Sequence, residues 1–312
     1  MRLAAIFALL LTSVCFAEPP KPDLGPNASL HGLRVFPDDN AWNKDISKEP
    51  VDPNSAAIIA SIGANKPLHP DFGTTYEGHP NGIPYIVIDN MQERAIIRFT
   101  DYGDESDPGP YLIPSGAPIE GGPDADGDRH VLVINRDTMK LYELWRAFPE
   151  KDGSWKAGCG AIWDLKIGAP RKQGWTSADA AGLPIFPGLV RYDEVVEQKE
   201  IRHALRFTVQ RSRRAYVPPA SHFAAKSSDP KLPPMGMRVR LKSSVDISKY
   251  PPTAKVILKC LQTYGMIVAD NGGDWFLSGS PHKKWDDDQL HGLSKIHGKD
   301  FEVVKMGQMV TK

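Results

Sequence analysis

Along most of the chain the apolar positions recur every second residue, the spacing of a half-buried strand. Ile83-Pro84-Tyr85-Ile86-Val87-Ile88-Asp89 reads as one strand and Ala95-Ile96-Ile97-Arg98-Phe99-Thr100 as a second, joined through Asn90-Met91-Gln92-Glu93. His130 to Asn135 and Lys140 to Phe148 predict a hairpin across Arg136-Asp137-Thr138, with a further strand from Trp155 to Trp163. Later strands are expected at Ile201 to Gln210, Met237 to Leu241, Met266 to Ala269 and Trp275 to Ser278. Asp270-Asn271-Gly272-Gly273 should close the last two as a hairpin. Helical spacing appears from Thr253 to Tyr264, with Thr253 as cap and Gly265 as stop, and in short runs at Asn54 to Ile62 and Asp287 to Leu293. No fixed-period repeat is present, and strands do not alternate regularly with helices. The expected fold is mainly β: an antiparallel β-sandwich or jelly-roll-like core with a few short helices. Residues 31–312 are expected to form a single β-rich domain behind an extended linker at 18–30.

Composition sharpens this reading. The 312 residues include 28 prolines and 27 glycines, too many for a helical bundle or coiled coil. The prolines crowd residues 18–30, 66–84, 101–123 and 217–234, marking long shaped loops, where binding grooves are commonly built. Lys plus Arg and Asp plus Glu are 38 each, which argues against a dedicated nucleic-acid binder. Met1-Arg2, the apolar run Leu3 to Leu11 and a small residue at Ala17 have the form of a signal peptide cleaved after residue 17. That predicts a secreted or periplasmic protein that leaves the membrane on cleavage. Cys15 follows Val14 rather than a small residue, so cleavage is favoured over lipidation. Two cysteines then remain, Cys159 and Cys260, and in an oxidising compartment they are a candidate disulfide.

Asp124-Ala125-Asp126-Gly127-Asp128 places three carboxylates two apart around a glycine, as in the first half of a calcium loop. Asn135 stands where an EF-hand needs a bidentate Glu, so a Ca2+ site would need distant oxygens; a solvated acidic turn is the alternative. Trp163-Asp164 and Trp175 with Asp179 suit sugar recognition, because indole rings stack on pyranose faces and carboxylates bind hydroxyls. Asp164 and Asp179 are therefore candidate acid, base or nucleophile, with Glu200 in reserve. His203 alternates onto the apolar face of its strand and would orient another group. Arg214, Tyr216 and His222 suit a polysaccharide lyase, in which Arg neutralises a uronate and Tyr or His moves the α-proton. No HExxH, phosphate-loop, GxGxxG or GxSxG pattern occurs, which weighs against a nucleotide cofactor and weakens the lipase or esterase reading.

Gly174-Trp175 through Pro184, Gly188-Leu189-Val190-Arg191-Tyr192-Asp193-Glu194, His203-Ala204-Leu205-Arg206-Phe207 and Met235-Gly236 resemble a family of secreted bacterial proteins to which no reaction is assigned. The resemblance implies export and no particular activity. The expected function is a secreted carbohydrate-active enzyme, a glycoside hydrolase with a polysaccharide or oligosaccharide as its partner. The alternatives are a lyase on uronate polymers and a non-catalytic carbohydrate- or surface-binding protein with structural calcium.

Overall fold

The computed structural model describes residues 20–311; the expected signal peptide at 1–17 lies outside them. The protein is mainly β, with mixed sheets rather than purely antiparallel ones. A five-stranded sheet runs in the order Gly25–Pro26, Tyr85–Ile88, Val131–Asn135, Lys140–Trp145, Cys159–Asp164. A six-stranded sheet runs Phe301–Val303, Arg238–Leu241, Met266–Asn271, Leu205–Val209, Phe276–Ser278, His69–Asp71. The expected hairpin between 131–135 and 140–145 is present, Val133 opposite Tyr142.

Burial explains why Val131–Asn135 is apolar at nearly every position. Leu132 and Ile134 face the large core, which the six-stranded sheet also lines. Val131 and Val133 face a second core with Trp155, Ala157 and Tyr111. A strand covered on both faces loses the alternation that marks a half-exposed one.

Several expected pairings are corrected. The strand expected at Ala95 to Thr100 is Ile97–Phe99, which does not join the 85–88 strand; it runs parallel to Trp155–Ala157 in a separate three-stranded sheet. The single strand expected at Trp155 to Trp163 is two, Trp155–Ala157 and Cys159–Asp164, in different sheets. The break is Gly158, where a Cβ would meet the Trp145 ring at 2.4 Å. Met266–Asn271 and Phe276–Ser278 are not hairpin partners, because Leu205–Val209 lies between them and pairs with both.

The helix expected at Thr253 is Pro252–Thr263, with Pro251 at its cap position and Gly265 just beyond it at φ +65°. Helix Ser55–Ile62 ends on Gly63, as its pattern predicts. Residues 20–30 are tied down rather than extended: Gly25–Pro26 pairs with Tyr85–Ile88, and the Leu30 N–H donates to Asp193 Oδ2 at 2.9 Å. Among the described residues no helix is long and apolar enough to cross a membrane.

The expected disulfide does not form. Both cysteines are buried free thiols. The Cys159 Sγ donates to the Ser177 carbonyl at 2.9 Å, and the Cys260 Sγ donates to the His203 carbonyl at 3.1 Å. Cys159 begins a strand of the five-stranded sheet and Cys260 sits inside helix Pro252–Thr263, so each faces its own carbonyl.

Candidate active site

Strand ends and proline-rich loops converge on one elongated groove. Three recesses of about 150, 440 and 570 Å³ adjoin. The first two share Asp128, and the second and third share Asp71, Tyr76 and Asn81. The small recess is walled by Trp145 and Tyr102, with ring centroids 6.1 Å apart, and carries Asp128, Asp270 and His222. The middle recess carries Asp71, Glu77, Glu120, Asp124, Asp126 and Asp128, and the far one Asp71 and Asp287. Arg129 is the only Lys or Arg among these lining residues, although the chain as a whole is charge-balanced.

A bulge aims Asp270 into this groove. Phe207 pairs with Val268, but Thr208 pairs with Asp270, so Ala269 is the extra residue and the alternation shifts beyond it. Burial pushes the Asp270 carboxyl up to about 7; the nearby Asp179 carboxylate adds to this and Arg206 opposes it. Asp71 keeps a solvent-facing edge, yet the protein around its carboxyl raises it above the ordinary range.

The floor of the groove is a network of buried charges. Arg206 donates from Nε and Nη2 to the two carboxylate oxygens of Asp179, at 3.1 and 2.9 Å, and from Nη1 to Ser278 Oγ at 2.6 Å. Burial works against the Arg206 charge, and Asp179 more than restores it, so the guanidinium titrates above its ordinary value. His130 bridges from this floor to the rim: Nδ1 meets Glu120 Oε2 at 2.6 Å and Nε2 meets the Ala178 carbonyl at 3.0 Å. Both ring nitrogens face acceptors, which favours the imidazolium. Burial alone would depress His130, but the Glu120 charge and hydrogen bond lift it to about 9.

His222 offers a base with a defined lone pair. Its Nδ1 lies 2.8 Å from the Ala180 carbonyl and donates to it, which leaves Nε2 as the nitrogen that can accept when the ring carries a single proton. Cys159 also lines the small recess, but burial pushes its thiol up to about 12, which leaves no thiolate for nucleophilic attack.

The residues singled out from sequence do not form one cluster. Asp164 lies near the surface, 2.8 Å from Lys140 Nζ, and caps the turn at Lys166. Asp179 is wholly buried and committed to Arg206, so it supports the groove without lining it. Glu200 borders a separate recess with Lys199 and Cys260. His203 is buried, with Nε2 3.0 Å from Glu194 and Nδ1 2.8 Å from its neighbour's carbonyl. Of the candidate catalytic residues only His222 faces the groove. Trp163 and Tyr216 line a different, apolar cavity, whereas Trp175 is half-exposed beneath Arg171 and Lys172. Arg214 is exposed over the Phe223 ring, away from the groove.

The calcium reading is also corrected. Among the described residues no group of three His, Cys, Asp or Glu side chains is arranged to hold a metal ion. Asp128 accepts from Trp145 Nε1 at 2.9 Å. The loop carbonyls of Pro123 and Ala125, oxygens of the kind a cation would need, accept from Arg129 Nη1 at 2.8 and 2.7 Å. A guanidinium braces this loop from within.

Sequence patterning missed Asp270, Asp71, Glu120, His130 and Trp145. Asp270 reads as a turn residue, and only the bulge turns it inward. Its one sequence signal is its place as the first polar residue after the apolar run Met266 to Ala269. Compared with protein-family models, curated proteins and solved structures, the chain matches none.

Proposed function

We propose that the protein is a secreted carbohydrate-active enzyme, a glycoside hydrolase that cleaves a polysaccharide bound along the three-recess groove. The observation that carries this reading is the small recess, where Asp270 and Asp128 stand beside an aromatic wall of Trp145 and Tyr102. Asp270 is the general acid: a carboxyl titrating near 7 is largely protonated below neutrality and can give its proton to a leaving oxygen. Asp128 is the second carboxylate of the pair, held by Trp145 Nε1, and His222 Nε2 accepts from a sugar hydroxyl or the attacking water. The adjoining recesses hold further sugar units, with Tyr76 available for stacking. Export of the chain is part of the proposal and rests on residues 1–17. A sandwich-like facing of the two larger sheets is likewise proposed, on the core they share.

The lining also favours one substrate class. Neutral or amino-sugar polymers suit a groove rich in carboxylates, whereas a polyuronate would be repelled. This weighs against the lyase alternative, whose Arg214 and Tyr216 lie elsewhere. The test is release of reducing ends from neutral, amino-sugar and uronate polysaccharides by wild type, Asp270→Asn and Asp128→Asn. Release from a neutral or amino-sugar polymer, reduced at least about a hundredfold in Asp270→Asn, is expected. Retention of polymer without turnover would leave a binding protein, and equal release by all three proteins would remove this site.

A further inference from the structure

Charge is spread unevenly over the molecule. The three recesses of the groove are lined by eight carboxyl side chains and one arginine, Arg129, while the whole chain carries 38 residues of each sign. Arg129 is spent on the loop that carries it. Its Nε donates to the Ala147 carbonyl at 3.0 Å, its Nη1 to the Pro123 and Ala125 carbonyls, and its guanidinium lies 4.3 Å from the Phe148 ring centroid. Arg146, next to Trp145, turns to Asp101, 3.8 Å away. Among the described residues neither guanidinium forms an ion pair with a carboxylate of the groove.

The carboxylates of the middle recess stand on two facing lips. One is the exposed ribbon of Thr75–Tyr76 and His79–Pro80, with Glu77 in its turn. The other is loop 120–129, with Asp124 and Asp126. The lips meet where His79 lies over Gly122, at which a Cβ would come 2.7 Å from the imidazole Nδ1. Among the described residues Asp71, Glu77, Asp124 and Asp126 form no ion pair and accept no side-chain hydrogen bond. Burial raises the Asp71 carboxyl above its ordinary range and Glu120 adds to this; a cation brought into the recess would lower it again. In the small recess Asp270 Oδ1 accepts from the Asn271 N–H at 2.6 Å, while Oδ2 has no partner among the described residues and is open to the recess. A deeply set carboxyl oxygen left open in this way calls for a polar group on a guest.

Among the described residues no three of these side chains converge as a compact metal ion requires. Set along and across the groove, they suit a row of cations carried by a chain lying between the lips. The rings of Trp145 and Tyr102 in the adjoining small recess favour a sugar chain, whose pyranose faces stack on aromatic surfaces, over a basic peptide. We propose that the groove binds a glucosamine-type polysaccharide whose amines are free rather than acetylated. Its ammonium groups lie opposite Asp71 and between Glu77 and the Asp124 and Asp126 pair, and a glycosidic oxygen meets Asp270 Oδ2. This rests on the reading of the groove as a polysaccharide site and narrows its substrate to a cationic one.

The test is titration calorimetry of the full chain, at about pH 6, with the hexamers of glucosamine, N-acetylglucosamine and glucose and with hexalysine, beside reducing-end release from the three corresponding polysaccharides. The glucosamine hexamer is expected to bind at least about tenfold tighter than the other two sugars, and tighter than hexalysine. Its affinity should fall at least about fivefold from about 50 to 200 mM NaCl, as salt screens the exposed carboxylates. Asp124→Asn combined with Asp126→Asn changes two exposed side chains. It should weaken the glucosamine hexamer at least about fivefold and leave the other sugars and the melting temperature unaffected. Equal affinity for the three sugars, hexalysine bound as tightly as the glucosamine hexamer, or indifference to the double variant would overturn the proposal. Release from a neutral polymer by a protein without preference for the glucosamine hexamer would remove this ligand and leave the hydrolase. Preferred binding of that hexamer without release from any polymer would do the reverse.

Discussion

Asp179 and Arg206 meet as a doubly hydrogen-bonded ion pair, at 2.9 and 3.1 Å, with side-chain exposures of 0% and 3%. The carboxylate comes from a loop and the guanidinium from a central strand of the six-stranded sheet. The pair ties the groove floor to that sheet, and Ser278 on the next strand completes the Arg206 fork. Removing one member leaves the other charge buried and unpaired. Asp179→Asn is therefore expected to destabilise the protein by about 3–5 kcal/mol, read from urea unfolding. A change below about 1 kcal/mol would mean that the pair is hydrated in solution.

Asp164 provides the contrast. It pairs with Lys140 near the surface, where solvent screens the interaction. Asp164→Asn should change stability by no more than about 1 kcal/mol and leave reducing-end release intact. An Asp164→Asn variant that folds normally and loses activity would return catalysis to the strand-end carboxylate suggested by sequence.

The raised acids give stability a direction with pH. Asp270 and the core carboxyl of Glu143 are each pushed to about 7, chiefly by burial. Between their ordinary values and about 7 the folded state holds protons that the unfolded chain releases. Their contribution is therefore complete at low pH and is lost as pH rises through about 7. Asp270→Asn should flatten the fall in melting temperature across that window. If Asp270 is the acid, wild-type kcat should also decline above about pH 7.

His130 acts over a higher window. Its folded value of about 9 lies above the ordinary 6.5, so its stabilisation is present below 6.5 and disappears as pH rises through about 9. Glu120→Gln keeps an acceptor near Nδ1 and removes the charge, so the loss should begin at lower pH. Titration of the His130 ring by NMR in wild type and Glu120→Gln measures this shift directly.

The thiols give a redox prediction. Cys159 and Cys260 are buried and unbridged, each donating to a carbonyl. Reducing agent should leave the melting temperature unchanged, and thiol reagents should modify both only after denaturant is added. A fall in melting temperature under reduction would show a bridge in the isolated protein.

Strand-forming segments were legible because local periodicity and turn chemistry act over a few residues. The hairpin of 131–135 with 140–145 and the helix ended by Gly63 follow from such neighbours. Pairing at a distance was not legible. Nothing near Met266 to Ser278 announces that Leu205–Val209 will insert between its two strands. The site followed the same division: His222 could be named from its segment, while Asp71, Glu120 and Asp270 are each ordinary turn or strand-end residues in sequence.

By itself, then, the sequence determined a mainly β chain with a few short helices and proline-rich loops. Only the tertiary structure decided which carboxylates meet, which are spent on Arg206 or Lys140, and which titrate near neutrality. The physical reason is that burial and cross-sheet pairing set a side chain's charge and reach. Those depend on residues that are distant in the chain and adjacent only in the fold.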